Sequence, residues 1–288
     1  MSSPEAGAGH GGHGPDVRGG EGELYQVTIV KYGTREARRS DVFLNYPLYH
    51  EDDAPMRMDY FFWVVRGGGR TIVVDTGFSP AGGRLRQRTL LAEVPELMAE
   101  FGADPSSSPT VVLTHAHYDH AGNLGLFPSS SIVMSARELA FWRSRHARRV
   151  LFHHAADDEV LEHLGTVEME GRLRLFEGSV EVAPGVEVID VGGHTPGQCV
   201  VKVPTSDGTV LLASDAVHYY EEYERDMLFS AVADLVEMYE AFDRIRAMVE
   251  RGEVDHLVAG HDPSTLERFD PVTAVHGALA ATIGSLDG

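Results

Sequence analysis

The chain has little of three features that would place it in other classes of protein. Its 288 residues contain one cysteine, Cys199, so no intramolecular disulfide can form and a disulfide-stabilised secreted scaffold is excluded. No apolar run approaches the roughly 20 residues that cross a bilayer, and the longest candidate is 60–65. The N-terminus lacks the basic and apolar regions of a secretory signal. A reducing cytoplasm is therefore the expected location.

Basic residues are also scarce. The sequence has 24 Lys and Arg against 44 Asp and Glu, and its formal net charge is −20. Nucleic-acid binding needs clustered Lys and Arg that displace counterions. Hydrophobic residues at 43% and charged residues at 24% are ordinary values for a folded globular protein. We therefore expect a protein that acts on small molecules, with neither nucleic acid nor a membrane as a partner.

Most of the chain shows regular apolar patterns. Glycine and serine dominate 1–22, where we expect a disordered tail, and 23–288 are expected to form one domain. Apolar runs predict strands over 24–31, 58–65, 70–75 and 110–114, strand pairs within 179–191 and across 198–203 and 209–213, and a last strand over 254–259. Helical spacing predicts helices over 84–101, 135–145 and 230–250. Strand-rich halves with flanking helices favour an α/β fold of two packed sheets with helices outside.

The segment with the clearest chemistry is 114–123, THAHYDHAGN, which directly follows a predicted strand. Within six residues it holds three histidines and one aspartate: His115, His117, Asp119 and His120. Nitrogen and oxygen donors at this density suit a borderline metal such as zinc. Three more donors each follow a short apolar run further along the chain: His194, Asp215 and His261. Each of these is a weak signal alone, but four such segments in order predict a metal centre at one edge of the sheets.

This pattern, His-x-His-x-Asp-His followed by distant His, Asp and His, resembles the signature of the metallo-β-lactamase superfamily over roughly residues 24–270. The resemblance implies an αββα sandwich, two mixed β-sheets flanked by helices, with a dinuclear site at one edge. It also implies two divalent metal ions per chain, with Zn²⁺ favoured. Carried over to this sequence, metal 1 takes His115, His117 and His194, metal 2 takes Asp119, His120 and His261, and Asp215 bridges them.

Three features distinguish the branches of that superfamily. A histidine at His117, where the redox flavodiiron branch usually has an acidic ligand, favours hydrolysis over electron transfer. Asp215 supplies a carboxylate bridge, whereas the β-lactamase branch commonly uses a cysteine at metal 2. Cys199 lies in the wrong place for that ligand and is expected to be a buried core thiol. The acidic composition argues against the RNA-processing branch.

Among the remaining branches, the sequence is most similar to the N-acyl-homoserine lactonases. The similarity lies in the Asp-Thr-Gly turn at 75–77, the His-Thr-Pro-Gly turn at 194–197, the long helix after Asp215 and the Gly-His pair at 260–261. Asp75 is interpreted as a residue that orients a ligand histidine, although a capped turn fits equally well. The sequence departs from that group at one position. A tyrosine that contacts the substrate carbonyl usually stands three residues after the bridging aspartate, and here that residue is His218, followed by Tyr219 and Tyr220.

The resemblance implies a water-derived nucleophile that opens a lactone ring. A hydroxide held between the metals would attack the carbonyl, since a metal lowers the pKa of water from about 15.7 to about 7. Asp119 is the candidate to deliver a proton to the leaving oxygen, and His218, Tyr219 and Tyr220 are the candidates to donate a hydrogen bond to the developing oxyanion. The aromatic and methionine side chains of 41–60 suit an uncharged organic substrate, and core packing explains them equally well.

Several alternatives stay open at this stage. The same site is compatible with a thioester, as in glyoxalase II, and with another ester or a phosphodiester. A redox or oxygen-activating iron protein, or a metal-binding protein without turnover, would use the same scaffold. The oligomeric state is also open, and a homodimer is the expectation from base rates alone.

Overall fold

The structure is a computed structural model that describes residues 22–286. The predicted tail at 1–22, with His10 and His13, therefore lies outside the described residues apart from Gly22. The strands of the described part are β1 Gln26–Arg38, β2 Pro55–Gly67, β3 Arg70–Val74, β4 Thr89–Leu90, β5 Thr110–Val112, β6 Ile132–Ser135, β7 Leu173–Phe176, β8 Ser179–Ala183, β9 Val186–Asp190, β10 Cys199–Thr205, β11 Gly208–Ser214, β12 His256–Ala259, β13 Asp270–Pro271 and β14 Ala280–Ile283.

Helices connect these strands. They are α1 Arg39–Val42, α2 Pro80–Leu85, α3 Val94–Glu100, α4 Tyr118–Ala121, α5 Ala136–Arg143, α6 Val150–His153, α7 Asp158–Met169, α8 Tyr220–Arg225 and α9 Leu235–Glu250. Short 3₁₀ turns lie at Tyr46–Tyr49, Pro105–Ser107, Leu124–Leu126, Thr265–Arg268 and Gly277–Leu279. Within residues 22–286, no helix is long and apolar enough to cross a membrane.

The strands form two mixed sheets. The larger one has nine strands in the order β13-β14-β1-β2-β3-β5-β6-β7, with β4 paired to β1, and the smaller one has the order β12-β11-β10-β9-β8. Strands β3, β5, β6 and β7 run parallel to one another, and so do β11 and β12. The other pairs are antiparallel.

Three apolar clusters make the layers of the fold. The cluster between the sheets joins Trp63 of the larger sheet to Val188 and Val201 of the smaller one. A second cluster lies on the outer face of the larger sheet, under α3, α5 and α7. The third lies between the smaller sheet and α9, which buries Met238, Ala241, Phe242, Ile245 and Met248 at helical spacing. The predicted α/β fold with two mixed sheets and outer helices, the αββα sandwich, is confirmed.

The predicted strand at 58–65 is confirmed as a central one. Phe61, Trp63 and Val65 face the smaller sheet, while Phe62 and Val64 face the helices on the other side. A strand covered on both faces needs apolar side chains at every position, which accounts for the continuous apolar run.

The helix predicted over 84–101 is wrong. That segment contains the end of α2, the short strand β4 and then α3. Gln87 has a φ of 57°, a left-handed value that ends the first helix, and Thr89 and Leu90 pair with β1. The second helix begins at Val94 with a proline in its first turn, where proline is tolerated. The long helix predicted over 230–250 begins later, at Leu235, after the Asp234 side chain caps it.

Candidate metal centre

The predicted ligands follow the carboxyl ends of four strands. The segment from His115 to His120 follows β5, His194 follows β9, Asp215 follows β11 and His261 follows β12. The turn that leads to His194 needs glycine, because Gly192 and Gly193 have φ values of 69° and 89°. Strand ends from both sheets meet at this edge, so residues separated by up to 146 positions are brought together.

The structure brings all seven predicted ligands together in two buried groups. In each group, one potential donor atom from every residue lies within 4.8 Å of the others. The first group is His115, His117, His194 and Asp215, and the second is Asp119, His120 and His261. This division matches the assignment of residues to two metals that the sequence resemblance implies.

Asp215 lies between the two groups and presents one carboxylate oxygen to each. Its Oδ1 is 3.1 Å from the Nε2 atoms of both His120 and His261. Its Oδ2 is 3.2 Å from His194 Nε2 and 3.8 Å from His115 Nε2. A carboxylate in this position can coordinate two ions at once.

Unsatisfied donor atoms at this centre fit bound metal ions. Four buried atoms have no hydrogen-bond partner among the described residues: the Nε2 atoms of His115, His120 and His261 and the Oδ1 atom of Asp215. Buried polar atoms are normally hydrogen-bonded, because an unpaired one costs about 1–3 kcal/mol. Imidazole and carboxylate groups are ligands for zinc and similar divalent ions, so such ions would satisfy these atoms.

In three of the predicted ligand histidines, the Nδ1 atom contacts an oxygen atom of the protein. His120 Nδ1 lies 2.7 Å from Asp75 Oδ2, His194 Nδ1 lies 2.7 Å from the carbonyl oxygen of Ala231, and His261 Nδ1 lies 2.8 Å from the carbonyl oxygen of Asp59. Such contacts are typical of metal-binding histidines, because they fix the tautomer and the ring orientation. In these three rings Nε2 is therefore left to coordinate.

Burial and charge adjust the protonation of the ligands. Burial lowers the pKa of His117 to about 3, and it lowers the pKa of His115 and His194 well below the usual value. These imidazoles stay neutral, which is the form that binds metals. Burial also raises the pKa of Asp215, but the surrounding histidines outweigh it and hold that pKa well below its usual value.

Asp75 supports the ligand loop, as the sequence analysis anticipated. Besides its contact with His120, its carboxylate accepts hydrogen bonds from the backbone N–H of Thr114 at 2.8 Å and from the Thr114 hydroxyl. It stands at the end of β3 with a φ of 61°, a left-handed value that aspartate and asparagine tolerate. One buried carboxylate thus fixes both the backbone at the start of the loop and one ligand ring.

Replacing Asp75 with asparagine should weaken the second metal site about 10–100-fold. The Thr114 N–H donates to Oδ1 and the His120 ring contacts Oδ2, so asparagine would set an NH₂ group, which does not accept, against one of them. The left-handed backbone conformation stays accessible to asparagine. Competition for zinc with a chromophoric chelator would measure the affinity. The exposed Asp52→Asn variant is the matched control. Wild-type affinity for both ions in Asp75→Asn would show that this carboxylate does not orient His120.

Glu138 is a supporting residue that the sequence analysis missed. It is fully buried on α5 and accepts hydrogen bonds from the backbone N–H of Ala116 at 2.9 Å, from Trp142 Nε1 at 2.7 Å and from the backbone N–H of Gly197 at 3.0 Å. It therefore ties the loop of His115 and His117 to the turn that carries His194. The available signal was a glutamate four residues before a tryptophan on the apolar face of a predicted helix.

Removing this carboxylate should destabilise the protein strongly. Burial raises the pKa of Glu138, and its hydrogen bonds offset only part of that rise. Glu138→Ala would leave two backbone N–H groups and an indole unpaired. We expect a loss of about 3–5 kcal/mol in the free energy of unfolding, measured by chemical denaturation of the metal-loaded protein. The control is Glu168→Ala, which removes an exposed ion pair with Arg143 and should cost about 1 kcal/mol or less. Equal costs for the two variants would contradict this role.

The structure places His218 and Tyr219 behind the metal ligands, and neither lines the adjoining cleft. His218 Nε2 lies 3.2 Å from Asp215 Oδ2, and its Nδ1 lies 3.0 Å from Glu222 Oε2. Burial lowers the pKa of His218, but Glu222 and Asp215 outweigh it and raise that pKa to about 9. The Tyr219 hydroxyl donates to the carbonyl oxygen of Arg57 at 3.3 Å. The predicted hydrogen bond from these residues to a substrate therefore stays a prediction.

The structure also shows where the other residues singled out in the sequence lie. Tyr220 is buried, and its hydroxyl donates to the carbonyl oxygen of Leu257 at 3.2 Å. Cys199 is confirmed as a buried core thiol with a raised pKa caused by burial. From 41–60, Met58 and Tyr60 line the cleft, whereas Phe43 and Tyr46 are part of the apolar core.

The metal centre opens into a cleft of about 630 Å³. Four of the predicted ligands form its floor: His117, Asp119, His194 and Asp215. Its walls combine apolar and cationic side chains, namely Met58, Tyr60, Leu85, Tyr118 and Phe229 together with Arg35, Arg86 and Arg88. A second cavity of about 450 Å³ reaches His117 and His194 from the side of Leu44, Phe141 and Leu235. A small organic molecule of mixed polarity fits this space.

Comparison with known proteins agrees with this geometry. Residues 59–261 match the family model described as the metallo-beta-lactamase superfamily. An N-acyl homoserine lactonase of a Bacillus species is 26% identical over 167 residues, which cover 58% of this chain and 60% of that protein. The N-acyl homoserine lactonase AttM of Agrobacterium fabrum is 26% identical over 185 residues, which cover 58% and 63%. The chain thus spans about three fifths of the length of these curated relatives.

Solved structures share the fold over a greater length. A quorum-quenching N-acyl homoserine lactone lactonase superposes with a TM-score of 0.71 at 20% identity, covering 88% of this chain and 97% of that chain. AidC, a dizinc quorum-quenching lactonase, superposes with a TM-score of 0.65 at 16% identity, covering 92% and 96%. At these identities the likeness concerns the fold.

Proposed function

The chain belongs to the metallo-beta-lactamase superfamily, and from that premise we propose that it is a dinuclear-metal hydrolase that opens an N-acyl homoserine lactone or a related small lactone. The observation that carries the proposal is the position of Asp215 between two buried groups of donors with unpaired nitrogens. The curated relatives, which are N-acyl homoserine lactonases, support the choice of a lactone as substrate.

The donor groups indicate which residues would hold each ion, with Zn²⁺ as the favoured metal. One ion would take His115, His117 and His194, the other would take Asp119, His120 and His261, and Asp215 would bridge them. When bound, two such ions supply Lewis-acid polarisation of a carbonyl and a water of lowered pKa. The rest of the chemistry falls to side chains of this chain.

Asp119 is the candidate for the proton transfers of the reaction. It is one of two carboxylates of the metal centre that reach the cleft, and its Oδ2 lies 4.0 Å from both His120 Nε2 and His261 Nε2. The carbonyl oxygen of the same residue accepts a hydrogen bond from Tyr32 at 2.7 Å, which anchors its backbone. We assign to this carboxylate the uptake of a proton from the attacking water and its delivery to the leaving oxygen.

His218 positions the bridging carboxylate. Its ring stacks on Phe229 with 3.9 Å between the ring centroids, and it contacts Asp215 on one side and Glu222 on the other. Glu222 also accepts hydrogen bonds from the backbone N–H groups of His218 and Phe229. A carboxylate held in this way keeps its two oxygens directed at the two donor groups.

The proposed function is tested by turnover of purified protein whose metal content has been measured. A panel of acyl-homoserine lactones, plain γ- and δ-lactones, aromatic lactones and a glutathione thioester would be assayed by proton release. We expect lactone opening that disappears when a chelator removes the metals and returns when Zn²⁺ is added. If all lactones are inert while two metals per chain are present, the lactonase proposal is wrong. Turnover of the thioester alone would favour a glyoxalase II-like enzyme.

A further inference from the structure

Two arginine side chains, Arg35 and Arg88, form part of the cleft wall. Within residues 22–286, neither Arg35 nor Arg88 forms an ion pair, although both line the cleft beside the metal centre. Arg88 donates from Nε to the Tyr118 hydroxyl at 3.0 Å and from one terminal nitrogen to the carbonyl oxygen of Arg86, so its second terminal nitrogen is left for another acceptor. The Arg35 side chain is half-buried, and it makes no hydrogen bond to the part of the chain that the structure describes.

Both arginines adjoin the paired residues of β1 and β4. Strands β1 and β4 are antiparallel, with Gly33 opposite Leu90 and Thr34 opposite Thr89. Arg35 and Arg88 are the next residues along the chain from this last pair, and both line the same cleft. Like charges that line one cleft repel each other. An anion between the guanidinium groups would relieve this repulsion.

The carboxylates that line the cleft already have other partners. Asp157 pairs with Arg86 at 2.8 Å, and Asp158 pairs with His153 at 3.1 Å. Asp119 and Asp215 belong to the two donor groups for metals. Two divalent ions would outweigh those two carboxylates, so the working cleft carries positive charge although the whole chain has a net charge of −20.

We propose that Arg35 and Arg88 form an anion-binding pair that selects lactones bearing a carboxylate on the ring or on a short substituent. This inference rests on the proposed function and names the substrate class of the same site. The paired guanidinium groups offer the planar, multidentate donors that a carboxylate accepts best. The apolar walls at Met58, Leu85 and Phe229 cover the remainder of such a molecule.

The test compares two lactones that differ in one charge, γ-carboxy-γ-butyrolactone and its neutral carboxamide. We expect the metal-loaded enzyme to prefer the carboxylate by at least about tenfold in kcat/KM, and we expect added salt to reduce the preference. Arg35→Met and Arg88→Met, which retain an apolar stem of similar length, should each bring the ratio of the two kcat/KM values close to one. The exposed Arg84→Met variant, four residues before Arg88, is the matched control and should keep the wild-type ratio.

A binding measurement separates this proposal from the lactonase proposal. Tetrahydrofuran carboxylate has the anion but no ester bond, and its affinity for the metal-loaded protein can be measured by calorimetry. A carboxylate bound only by the metals would bind Arg35→Met as tightly as the wild type, whereas the arginine pair predicts at least about tenfold weaker binding. Since the Arg35 side chain makes no hydrogen bond within residues 22–286, its replacement removes none from the fold.

Each outcome decides between the two proposals. Lactones opened without a preference for the carboxylate would overturn the arginine pair and leave the lactonase standing. Inert lactones together with weaker anion binding in Arg35→Met would support the pair and reject the lactonase. Inert lactones with unchanged anion binding would reject both, and phosphate-bearing lactones preferred over carboxylates would reject the carboxylate as the anion selected.

Discussion

Replacing Asp215 with alanine should remove both metal ions and lower kcat/KM by more than about 100-fold. This carboxylate presents Oδ1 to His120 and His261 and Oδ2 to His194 and His115. Removing a residue that only orients a ligand typically lowers metal affinity or activity by about 10–100-fold. Removing a ligand shared by two sites should lower them further. Metal analysis of the purified variant is expected to find well under one ion per chain.

A comparison variant makes this prediction specific. His261 belongs to the second donor group alone, so His261→Ala should lose one ion and keep the other. Asp243→Ala removes an exposed aspartate, 77% accessible and paired with Arg246, and should leave both the metal content and turnover unchanged. An Asp215→Ala protein that retains two ions would show that this carboxylate does not join the two sites.

Asparagine at position 119 should slow lactone opening by about 10²–10⁴-fold, which is the usual contribution of a general acid–base group. The amide retains the size of the side chain and one oxygen for coordination, but it cannot take up and release a proton. The expected change is a fall in kcat while the metal content stays near the wild-type value. The rate of lactone opening in a single-turnover experiment should also fall, because the affected step is the chemical one.

The leaving group distinguishes proton transfer from a structural effect of Asp119→Asn. The leaving group of an alkyl lactone is a basic alkoxide, which needs a proton. The leaving group of a phenyl ester is a weakly basic phenolate, which needs a proton far less. The variant should therefore lose much more activity toward alkyl lactones than toward phenyl esters. The exposed Asp270→Asn variant serves as the control. An equal loss for both leaving groups would place the effect of Asp119 on the metals or on the fold.

Much of the fold was predictable because its signals are local. The run at 60–65 is apolar at every position, as expected for a strand covered on both faces, and the structure gives it both coverings. The apolar spacing of α9 likewise reports one buried face. The segment 84–101 was mispredicted because its apolar spacing is helical in part, while the intervening strand forms only through hydrogen bonds to the distant β1. The apolar pattern of one segment carries no information about its pairing with a distant strand.

The donor set was also predictable, since each ligand follows a short strand and the residue types are restricted by metal chemistry. The residues that hold or surround the centre carry no such local signal. Glu138 joins two loops that are 81 residues apart in sequence, at Ala116 and Gly197. Arg35 and Arg88, which are 53 residues apart in sequence, line one cleft only in the folded chain. Their roles depend on which backbone groups and charges lie within a few ångströms, and that depends on the assembled sheets.

The sequence by itself thus determined the layered α/β class, the identity and order of the seven donors, and the family to which the chain belongs. The tertiary structure decided that Glu138 ties two ligand loops together, that His218 lies behind the centre against Glu222, and that two arginines without an ion pair among residues 22–286 line the cleft. The physical reason is the range of the interactions. Apolar periodicity and ligand chemistry are properties of short segments, whereas electrostatic pairing, burial and the shape of a cleft arise only where distant segments meet.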